Sequence, residues 1–441
     1  MLLIVWGVAL LPVFLYKAWR QKKTLPGIKQ RMGRLPYDLK HDGRPVVWFH
    51  ACSVGEALSL RPLVQTLRQS FPAARFVFST VTKTGQEMVV QNFGAENTFY
   101  FPADFAFVIR RVLDWIRPAM IVIVDTEIWP NLLNQSRRRD IPVVLANGRI
   151  SPRSFRWYRL ARPFLRAVFQ NYAALMAQSE DDAFRLAGMG APPEMIKVTG
   201  NLKFDRHPAA AESGGRLPHT VDEAFNLEPS AAPSPLIVAG STHPGEERIL
   251  ISVLKKIRNL PALAATRLLI APRHPERFDE VLGLVVKEGF TAKRRTDCGA
   301  AEPDAEVLIL DTVGELAEAY RYGAVAFVGG TLTRNGGHSV LEPALFSKAI
   351  VVGPYTDNFR AIIDEFLARG AIRRIGAGDK NPELQERQLS DIFAQLLQNA
   401  EERTALGKAA HAVLERNRGA ARRAGETIAA LLMKRMSCQP E

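Results

Sequence analysis

Glu56 is the first residue in the chain whose position suggests catalysis. It follows the apolar run Val46-Val47-Trp48-Phe49 and a short loop, and a helical apolar pattern begins just after it. This order predicts a buried strand, a tight turn and a helix start, which places Glu56 at the carboxyl end of a strand, where open α/β sheets bind ligands. A carboxylate there can accept a proton from a substrate hydroxyl group. The spacing from Ser53 to Glu56 also fits a capping box, in which both side chains only satisfy backbone N–H groups.

Two more acidic residues follow a second apolar run, at 120–124. Asp125 and Glu127 come directly after it, Arg149 follows the run at 142–146, and Lys203 lies in the turn at 200–205. Because the carboxyl ends of parallel strands meet at one edge of a sheet, we expect these side chains to converge with Glu56. Taken singly, each is also compatible with an ordinary loop or cap residue.

Turns in the second half of the chain suggest an anion site. Pro272-Arg273 ends a predicted strand with a cation suited to phosphate. Val313-Gly314-Glu315 forms an acidic turn that contains a glycine, and Ser241 opens the turn after the first strand of this half. These turns are expected at the carboxyl edge of a second sheet.

The turn at 329–344 is the strongest candidate for nucleotide binding. Its glycines allow a ligand to approach the backbone closely, and the helix that begins there directs N–H groups at an anion. Glu342 is placed to accept hydrogen bonds from ribose hydroxyl groups. The alternative is a wide turn in which Glu342 only compensates the helix dipole. The turn matches neither the dinucleotide fingerprint nor the P-loop motif.

The histidines and cysteines do not predict a metal site. His50, His243, His274 and His338 each lie at a junction between elements, but no two have the spacing of metal ligands. We therefore expect separate hydrogen-bonding roles for them. Three cysteines far apart in the sequence indicate neither a zinc cluster nor a disulfide framework.

The elements that position these residues form two α/β series. Predicted strands alternate with helical patterns, at 46–49, 75–79, 120–124, 142–146 and 175–177, and again at 236–240, 268–271, 307–310, 324–328 and 349–352. This rhythm predicts βαβ units and two parallel sheets of the Rossmann type. We assign residues 21–205 to the first domain, 206–235 to a linker, 236–400 to the second domain and 401–441 to a C-terminal helical region.

The N-terminus predicts a membrane anchor at residues 1–20. Met1 to Tyr16 contain no charged residue, and a cluster of lysines and arginines follows. The basic flank should stay on the cytoplasmic side. Sixteen helical residues span only about 24 Å, which is less than the ~30 Å hydrocarbon core of a bilayer. Two alternatives therefore stay open, a short or tilted helix that spans the membrane and a helix that is partly embedded in it.

The charge of the chain favours anionic partners. The net charge is +13, but no single basic block dominates and no nucleic-acid-binding motif is present. We therefore expect phosphorylated ligands and anionic inner-membrane lipids as partners, and no nucleic acid.

Four motifs in this order resemble the Kdo transferases of lipopolysaccharide assembly. They are His50 to Glu56, Glu127 to Asn131, Gly200 to Asp205 and Gly336 to Pro343. The resemblance implies a GT-B fold, with two Rossmann-like domains facing across a cleft, the first for the acceptor and the second for the nucleotide sugar. It also implies inverting transfer of 3-deoxy-D-manno-octulosonate (Kdo) from CMP-Kdo to a tetraacylated lipid A precursor at the cytoplasmic face of the inner membrane, without a metal.

The same resemblance implies roles for individual residues. Glu56 would be the general base, and Asp125 or Glu127, with Lys203, would support the transition state. CMP would contact Pro272, Arg273, Val313, Gly314, Glu315, Ser339, Val340, Leu341 and Glu342. Supporting positions would be Ser53, Gly55, Arg149, Ser241, Gly336, Gly337 and His338. The chain departs from the usual pattern at Asp125, where glutamate is more common, and at Ser339, where asparagine is usual.

Two other functions fit the residues. The first is a GT-B enzyme that uses a nucleotide-diphosphate sugar. Competition between CMP-Kdo and UDP-sugars for the donor site would distinguish it from a Kdo transferase. A non-catalytic, membrane-tethered module that binds nucleotide or lipid would show binding without turnover, and the density of acidic turns at both sheet edges argues against it.

Overall fold

A computed structural model of the chain describes residues 27–52, 54–205, 220–227, 235–297, 305–376 and 381–437. The chain divides into two compact units. Unit 1 contains Met1–Arg206 and Arg418–Glu441, and unit 2 contains His207–Asn417. The chain therefore leaves unit 1, builds unit 2 and returns to unit 1.

Unit 1 is an α/β fold around a parallel sheet. Its described strands are β1 (Val46–His50), β2 (Arg75–Thr80), β3 (Thr98–Tyr100), β4 (Met120–Val124), β5 (Val143–Gly148), β6 (Ala174–Ala177) and β7 (Ile196–Val198). They lie in the order β3-β2-β1-β4-β5-β6-β7, and all neighbours are parallel. Its described helices are α1 (Ile28–Arg31), α2 (Val54–Ser70), α3 (Lys83–Phe93), α4 (Ala106–Ile116), α5 (Pro130–Arg137), α6 (Pro152–Leu160), α7 (Arg162–Phe169) and α8 (Glu180–Gly188).

The central strands of unit 1 are buried on both faces. Every residue of β1 and β4 is buried. Trp48 packs in one hydrophobic cluster, whereas Val47 and Phe49 pack in another, because successive side chains of a strand point to opposite faces of the sheet. Helices cover both faces, which explains why these strands are continuous apolar runs.

Unit 2 repeats this architecture. Its described strands are β8 (Leu236–Thr242), β9 (Arg267–Pro272), β10 (Ala292–Arg294), β11 (Val307–Ile309), β12 (Val325–Val328), β13 (Ala349–Val352) and β14 (Arg373–Arg374). They form a parallel sheet in the order β10-β11-β9-β8-β12-β13-β14. The helices that belong to the unit and are described are α9 (Val221–Phe225), α10 (Glu246–Arg258), α11 (Phe278–Lys287), α12 (Leu316–Ala319), α13 (Leu341–Leu345), α14 (Arg360–Ala368), α15 (Pro382–Gln398) and α16 (Ala400–Asn417).

The last described helix, α17 (Ala420–Ser437), packs in unit 1. Asp205 accepts hydrogen bonds from the backbone N–H groups of Gly419 (2.6 Å) and Ala421 (2.5 Å) and so caps this helix. The apolar face of α17 joins the core beside α2. The region that we expected as one C-terminal unit, 401–441, is therefore divided between the two units.

The prediction of two α/β units with parallel sheets is confirmed. The sequence pattern did not predict β3, β7, β10 and β14, which are the edge strands of the two sheets. Each is only two or three residues long. An edge strand pairs with a neighbour on one side only. Its sequence therefore need not contain the continuous apolar run that predicts a central strand.

Two expected segments fall largely outside the described residues. The anchor expected at 1–20 lies before the first of them. In the part of the chain that the structure describes, no helix combines the length and the apolar character needed to cross a bilayer. The expected linker, 206–235, contains α9, whose Val221 and Phe225 pack in the core of unit 2; residues 206–219 and 228–234 are not described.

A glycine in α16 tests the close packing of unit 2. A Cβ atom at Gly407 would lie 1.9 Å from the backbone oxygen of Ser347, whereas a Cβ atom at Gly283 in α11 would meet nothing within 4 Å. We expect Gly407→Ala to lower the free energy of unfolding of unit 2 by about 1–3 kcal/mol. The matched control, Gly283→Ala, should raise it by roughly 0.5–1 kcal/mol through helix propensity. Scanning calorimetry measures both, and equal shifts for the two variants would contradict the close approach.

Candidate active site

The candidate site of unit 1 lies at the carboxyl edge of its sheet, around β1. This strand lies between β2 and β4. The chain runs from β1 to β2 on one side and from β4 to β5 on the other, and such a reversal opens a crevice at the sheet edge. Glu56 follows β1, and Asp125 and Glu127 follow β4.

Glu127 is held by a buried imidazole. His50, the last residue of β1, is fully buried. Its Nδ1 lies 3.0 Å from the hydroxyl oxygen and 3.1 Å from the carbonyl oxygen of Ser79 on β2, and Trp48 Nε1 donates to the same hydroxyl oxygen at 2.7 Å. The other ring nitrogen, Nε2, lies 2.8 Å from Glu127 Oε2. Contacts with the neighbouring strand thus orient the ring against the carboxylate.

The remaining neighbours of Glu127 keep its carboxyl group ionised. The Cys52 thiol donates to Oε1, and Trp129 Nε1 donates to Oε2 at 3.3 Å. Burial raises the pKa of Glu127, but His50, Cys52 and Trp129 together bring the pKa below its ordinary value. Burial, and then Glu127, raise the pKa of the Cys52 thiol far above its usual range. Both carboxylate oxygens of Glu127 therefore have partners within unit 1.

Asp125 is held differently, through the backbone turn after β4. Asp125 and Asn147 both have left-handed backbone conformations, with φ of 57° and 59°. Asn147 Nδ2 donates to Asp125 Oδ1 at 2.6 Å, and Asn147 Oδ1 accepts from the backbone N–H of Leu202 at 3.0 Å. One amide side chain therefore connects the ends of β4 and β5 to the turn that carries Lys203. Strained backbone of this kind is frequent at functional sites.

The surroundings of Asp125 raise its pKa to about 6. Burial is the main cause and the negative charge of Glu56 adds to it, whereas Lys203, Asn147 and Arg149 act in the opposite direction. The structure therefore brings Glu56, Asp125 and Lys203 into one electrostatic cluster. Arg149 itself is exposed.

Glu56 also has a structural contact. Its Oε2 accepts the backbone N–H of Cys52 at 2.7 Å, which is part of the capping role that the sequence allows. Ser53, the other half of the expected capping box, lies outside the described residues, and Gly55 is exposed. This contact positions the Glu56 carboxylate at the end of β1. It does not exclude a role for Glu56 as a general base.

A buried glutamate organises the candidate site of unit 2. Glu246 in α10 is fully buried and accepts backbone N–H groups of His243 (2.9 Å), Gly330 (2.7 Å) and Leu332 (2.8 Å). It thereby connects the loop after β8 to the loop after β12. A Cβ atom at Gly329 would lie 2.4 Å from the carbonyl oxygen of Ser241, so these loops approach each other closely only because glycine is present there.

Three histidines meet at this edge. His243 Nε2 lies 2.8 Å from His338 Nε2, and the His274 ring is perpendicular to the His243 ring, with centroids 5.4 Å apart. The expectation of separate roles is wrong for His243 and His338, because three strands bring to one edge residues that are distant in the sequence. In unit 1, His50, Cys52 and Glu127 likewise place ligand-type atoms within 4.8 Å of one another. The spacing of these residues in the sequence did not predict this proximity either.

The other residues predicted to contact the nucleotide differ in exposure and in hydrogen-bond partners. Pro272 is buried and Arg273 is exposed. The Glu315 carboxylate pairs with the buried Arg295 at 3.0 Å and accepts from Thr312, while Val313 and Gly314 beside it are exposed.

The turn before α13 is built on glycine. Gly336 and Gly337 have φ of 81° and 77°, and Ser339 Oγ accepts the backbone N–H of Leu341 at 3.3 Å. Val340 is buried, whereas Glu342 is half-buried.

Comparison with known proteins identifies the family. A family model described as 3-deoxy-D-manno-octulosonic-acid transferase (kdotransferase) matches residues 26–206. The 3-deoxy-D-manno-octulosonic acid transferase of Haemophilus influenzae is 34% identical over 86% of this chain and 85% of that protein. The Bordetella pertussis enzyme of the same name is 32% identical over 86% of this chain and 85% of its own. This chain belongs to the Kdo transferase family. It is accordingly a Kdo glycosyltransferase of lipopolysaccharide biosynthesis, as the motifs suggested.

Solved structures support the two-domain fold of this Kdo transferase. A UDP-GlcNAc 2-epimerase from Neisseria meningitidis covers 88% of this chain and 100% of its own, with a TM-score of 0.54 and 16% identity. A putative UDP-N-acetylglucosamine 2-epimerase from Listeria monocytogenes covers 90% and 98%, with a TM-score of 0.55 and 15% identity. At such identity the similarity concerns the fold alone.

The raised pKa of Asp125 in the Kdo transferase predicts a pH-dependent stability effect. A carboxyl group whose pKa is about 6 when folded, against an ordinary 3.8, destabilises the fold when it is ionised; this effect is absent below about pH 4 and complete above about pH 6. Asp125→Asn should therefore raise the free energy of unfolding by roughly 2–3 kcal/mol at pH 8 and leave it nearly unchanged at pH 4.

Urea unfolding followed by tryptophan fluorescence measures this effect, because all six tryptophans lie before residue 206 and so report on unit 1. Asp140→Asn is the matched control, since Asp140 is exposed and also has a left-handed backbone, with φ of 53°. A gain of equal size for both variants, or at both pH values, would show that backbone conformation and not charge is responsible.

Proposed function

We propose that this Kdo transferase uses CMP-Kdo as donor and a tetraacylated lipid A precursor as acceptor, and that it inverts the anomeric centre. The observation that carries the proposal is the grouping of Glu56, Asp125 and Lys203 at the carboxyl edge of the unit 1 sheet, next to Glu127, whose carboxylate is held by His50 and Cys52. Burial, followed by the charge of Glu56, raises the pKa of Asp125, whereas hydrogen bonds from its partners bring the pKa of Glu127 below its ordinary value. Carboxyl groups with pKa values pushed apart are typical of sites that transfer protons.

Glu56 acts as the general base in this proposal. It takes the proton of the acceptor hydroxyl group while the hydroxyl oxygen attacks the anomeric carbon of Kdo. The bond from that carbon to the phosphate oxygen breaks, and CMP leaves with the electron pair. A single displacement of this kind inverts the anomeric centre.

We assign Asp125, rather than Glu127, to the reacting centre. Glu127 is occupied by His50, Cys52 and Trp129, which suits a residue that positions the loop. Asp125 interacts electrostatically with Glu56 and Lys203. Lys203 then balances the negative charge of the two carboxyl groups and stabilises charge that develops during transfer.

Unit 2 binds the donor in this proposal. Arg273 is exposed at the end of β9, where its guanidinium can pair with the departing phosphate. The backbone at Val340, Leu341 and Glu342 and the exposed turn of Val313 and Gly314 complete the CMP contacts. The proposal requires no metal.

A basic and aromatic surface supports a lipid acceptor. Residues 149–170 contain six arginines and no acidic residue. In α6, Trp157 and Leu160 are 71% and 75% exposed, and Phe164 of α7 is 51% exposed. Exposed aromatic and aliphatic side chains among arginines are suited to the headgroup region of an anionic membrane. We therefore propose that unit 1 acts at the cytoplasmic face of the inner membrane, with residues 1–20 as an additional anchor.

Replacement of Glu56 tests the base. We expect Glu56→Gln to lower kcat by about 10²–10⁴-fold and to leave CMP affinity and fold unchanged. Mass spectrometry of products from CMP-Kdo and a lipid A precursor gives the rate. Glu87→Gln, at an exposed position of α3, is the control and should retain activity. If folded Glu56→Gln turned over like the wild type, Glu56 would be only a helix cap.

Competition by UDP-sugars at the donor site would favour a nucleotide-diphosphate donor instead.

The exposed surface of α6 can be tested in a chain that lacks residues 1–16. Trp157→Ser combined with Leu160→Ser should weaken binding to vesicles of anionic phospholipid by roughly tenfold, because two apolar side chains lose their burial in the interface. Val286→Ser, which changes an exposed apolar residue of unit 2, should leave binding unchanged. Co-sedimentation at low and high salt measures both, and equal binding of all variants would place the lipid contact elsewhere.

A further inference from the structure

The His243–His338 pair has the geometry of a direct hydrogen bond between rings. The two Nε2 atoms are 2.8 Å apart, the ring planes differ by 9°, and the centroids are 5.1 Å apart. This centroid distance exceeds the nitrogen–nitrogen distance by about two ring radii, so the rings meet end to end and nearly in one plane. At such a contact one nitrogen must donate and the other must accept. Neutral imidazoles therefore satisfy this contact with a single shared N–H.

The pair lies where a ligand of unit 2 is expected. β8 lies between β9 and β12 in the sheet, so its carboxyl end is the point at which the chain reverses direction across the sheet. His243 follows β8, and His338 lies in the loop that follows β12. Both rings are partly exposed. The carboxylate of Glu246 fixes the loops that carry them, through the backbone N–H groups of His243, Gly330 and Leu332.

The charged groups around the pair are mainly cationic. Arg273 and His274 follow β9 and act on both rings, and Arg277 and Glu247 act on His243. Arg277 and Glu247 largely compensate each other, because they form an ion pair of 2.7 Å. Burial, followed by the electrostatic influence of His274 and the arginines, lowers the pKa of His243; burial, followed by Arg273, lowers that of His338 to about 4. Without a ligand the pair is thus neutral near pH 7.

We infer that His243 and His338 form a proton-sharing pair which, with Arg273, binds the phosphodiester anion of the donor and takes up a proton as it does so. A bound anion places negative charge beside the rings and favours the protonated form. The proton is shared across the N–H···N contact, so two rings carry one positive charge. This inference rests on the proposed use of a nucleotide-monophosphate sugar by unit 2, and it adds a pH-linked anion contact to that site.

The sign of the pH effect follows from this linkage. Because the pKa of the pair is higher in the complex than in the free protein, binding should become tighter as the pH falls. Arg273 alone would give no such dependence, since guanidinium remains charged over the whole range. A phosphodiester ligand is needed for the measurement, because a phosphate monoester itself titrates near pH 6.

The test is titration calorimetry of the full chain with the methyl ester of CMP, between pH 5.5 and 8. For the wild type we expect binding that is about tenfold tighter at the acidic end. We also expect an enthalpy that depends on the ionisation enthalpy of the buffer, which reveals proton uptake. Cytidine, which lacks the phosphate, should bind weakly and without this dependence.

Two variants in the pair and one outside it complete the experiment. His338→Gln and His243→Gln should each remove the proton uptake and flatten the pH dependence to less than about twofold. His411→Gln is the matched control in unit 2; His411 lies in α16 and contacts the carbonyl oxygen of Ala344 at 3.2 Å, which a glutamine amide can also reach. This variant should behave like the wild type.

The outcomes separate the inference from the proposed function. A wild type that binds the ester without proton uptake, or histidine variants that keep the full pH dependence while folded, would overturn the inference. Intact pH-linked binding of the ester, without Kdo transfer to a tetraacylated lipid A precursor, would support the inference and overturn only the proposed acceptor.

Discussion

Both candidate sites depend on one constraint, which is that buried polar groups at the ends of central strands must be hydrogen-bonded. The backbone turns sharply after β1, β4, β8 and β12, and each turn leaves N–H groups without a strand partner. In unit 2 Glu246 accepts three of them at once. In unit 1 Asn147 connects two strand ends and the turn of Lys203. These inner hydrogen bonds fix the loops that carry the functional side chains.

The same constraint gives two similar carboxyl groups different properties. Glu127 faces a buried imidazole whose orientation comes from the neighbouring strand, and it is stabilised as an anion. Asp125, two residues earlier, is half-buried beside another acidic residue, and the nearby Lys203 only partly compensates this. The difference comes from the partners that adjacent strands supply, rather than from the local sequence.

The sequence predicted the parts of this fold that depend on local pattern. The strands at 120–124 and 349–352 have their predicted limits, because continuous apolar runs bounded by turns leave little choice. Glu56, Asp125 and Lys203 could be placed at one sheet edge from topology alone. The contact between His243 and His338 could not, because 94 residues separate them and only the order of strands β9, β8 and β12 makes them neighbours. The partnership of His50 with Glu127 was hidden for the same reason.

The return of the chain to unit 1 makes unit 2 an insertion within the sequence of unit 1. A fragment that stops near residue 206 would lack α17, and the apolar surface of α2 that Ala424 and Ile428 cover would face water. Asp205 would also lose the two N–H groups that it accepts. Proteolysis at a single peptide bond in the stretch 206–219 would leave unit 2 covalently joined only to the α17 part of unit 1, through Asn417 and Arg418. The packing of α17 against α2 would then be the contact that keeps the two fragments of unit 1 together after such a cut.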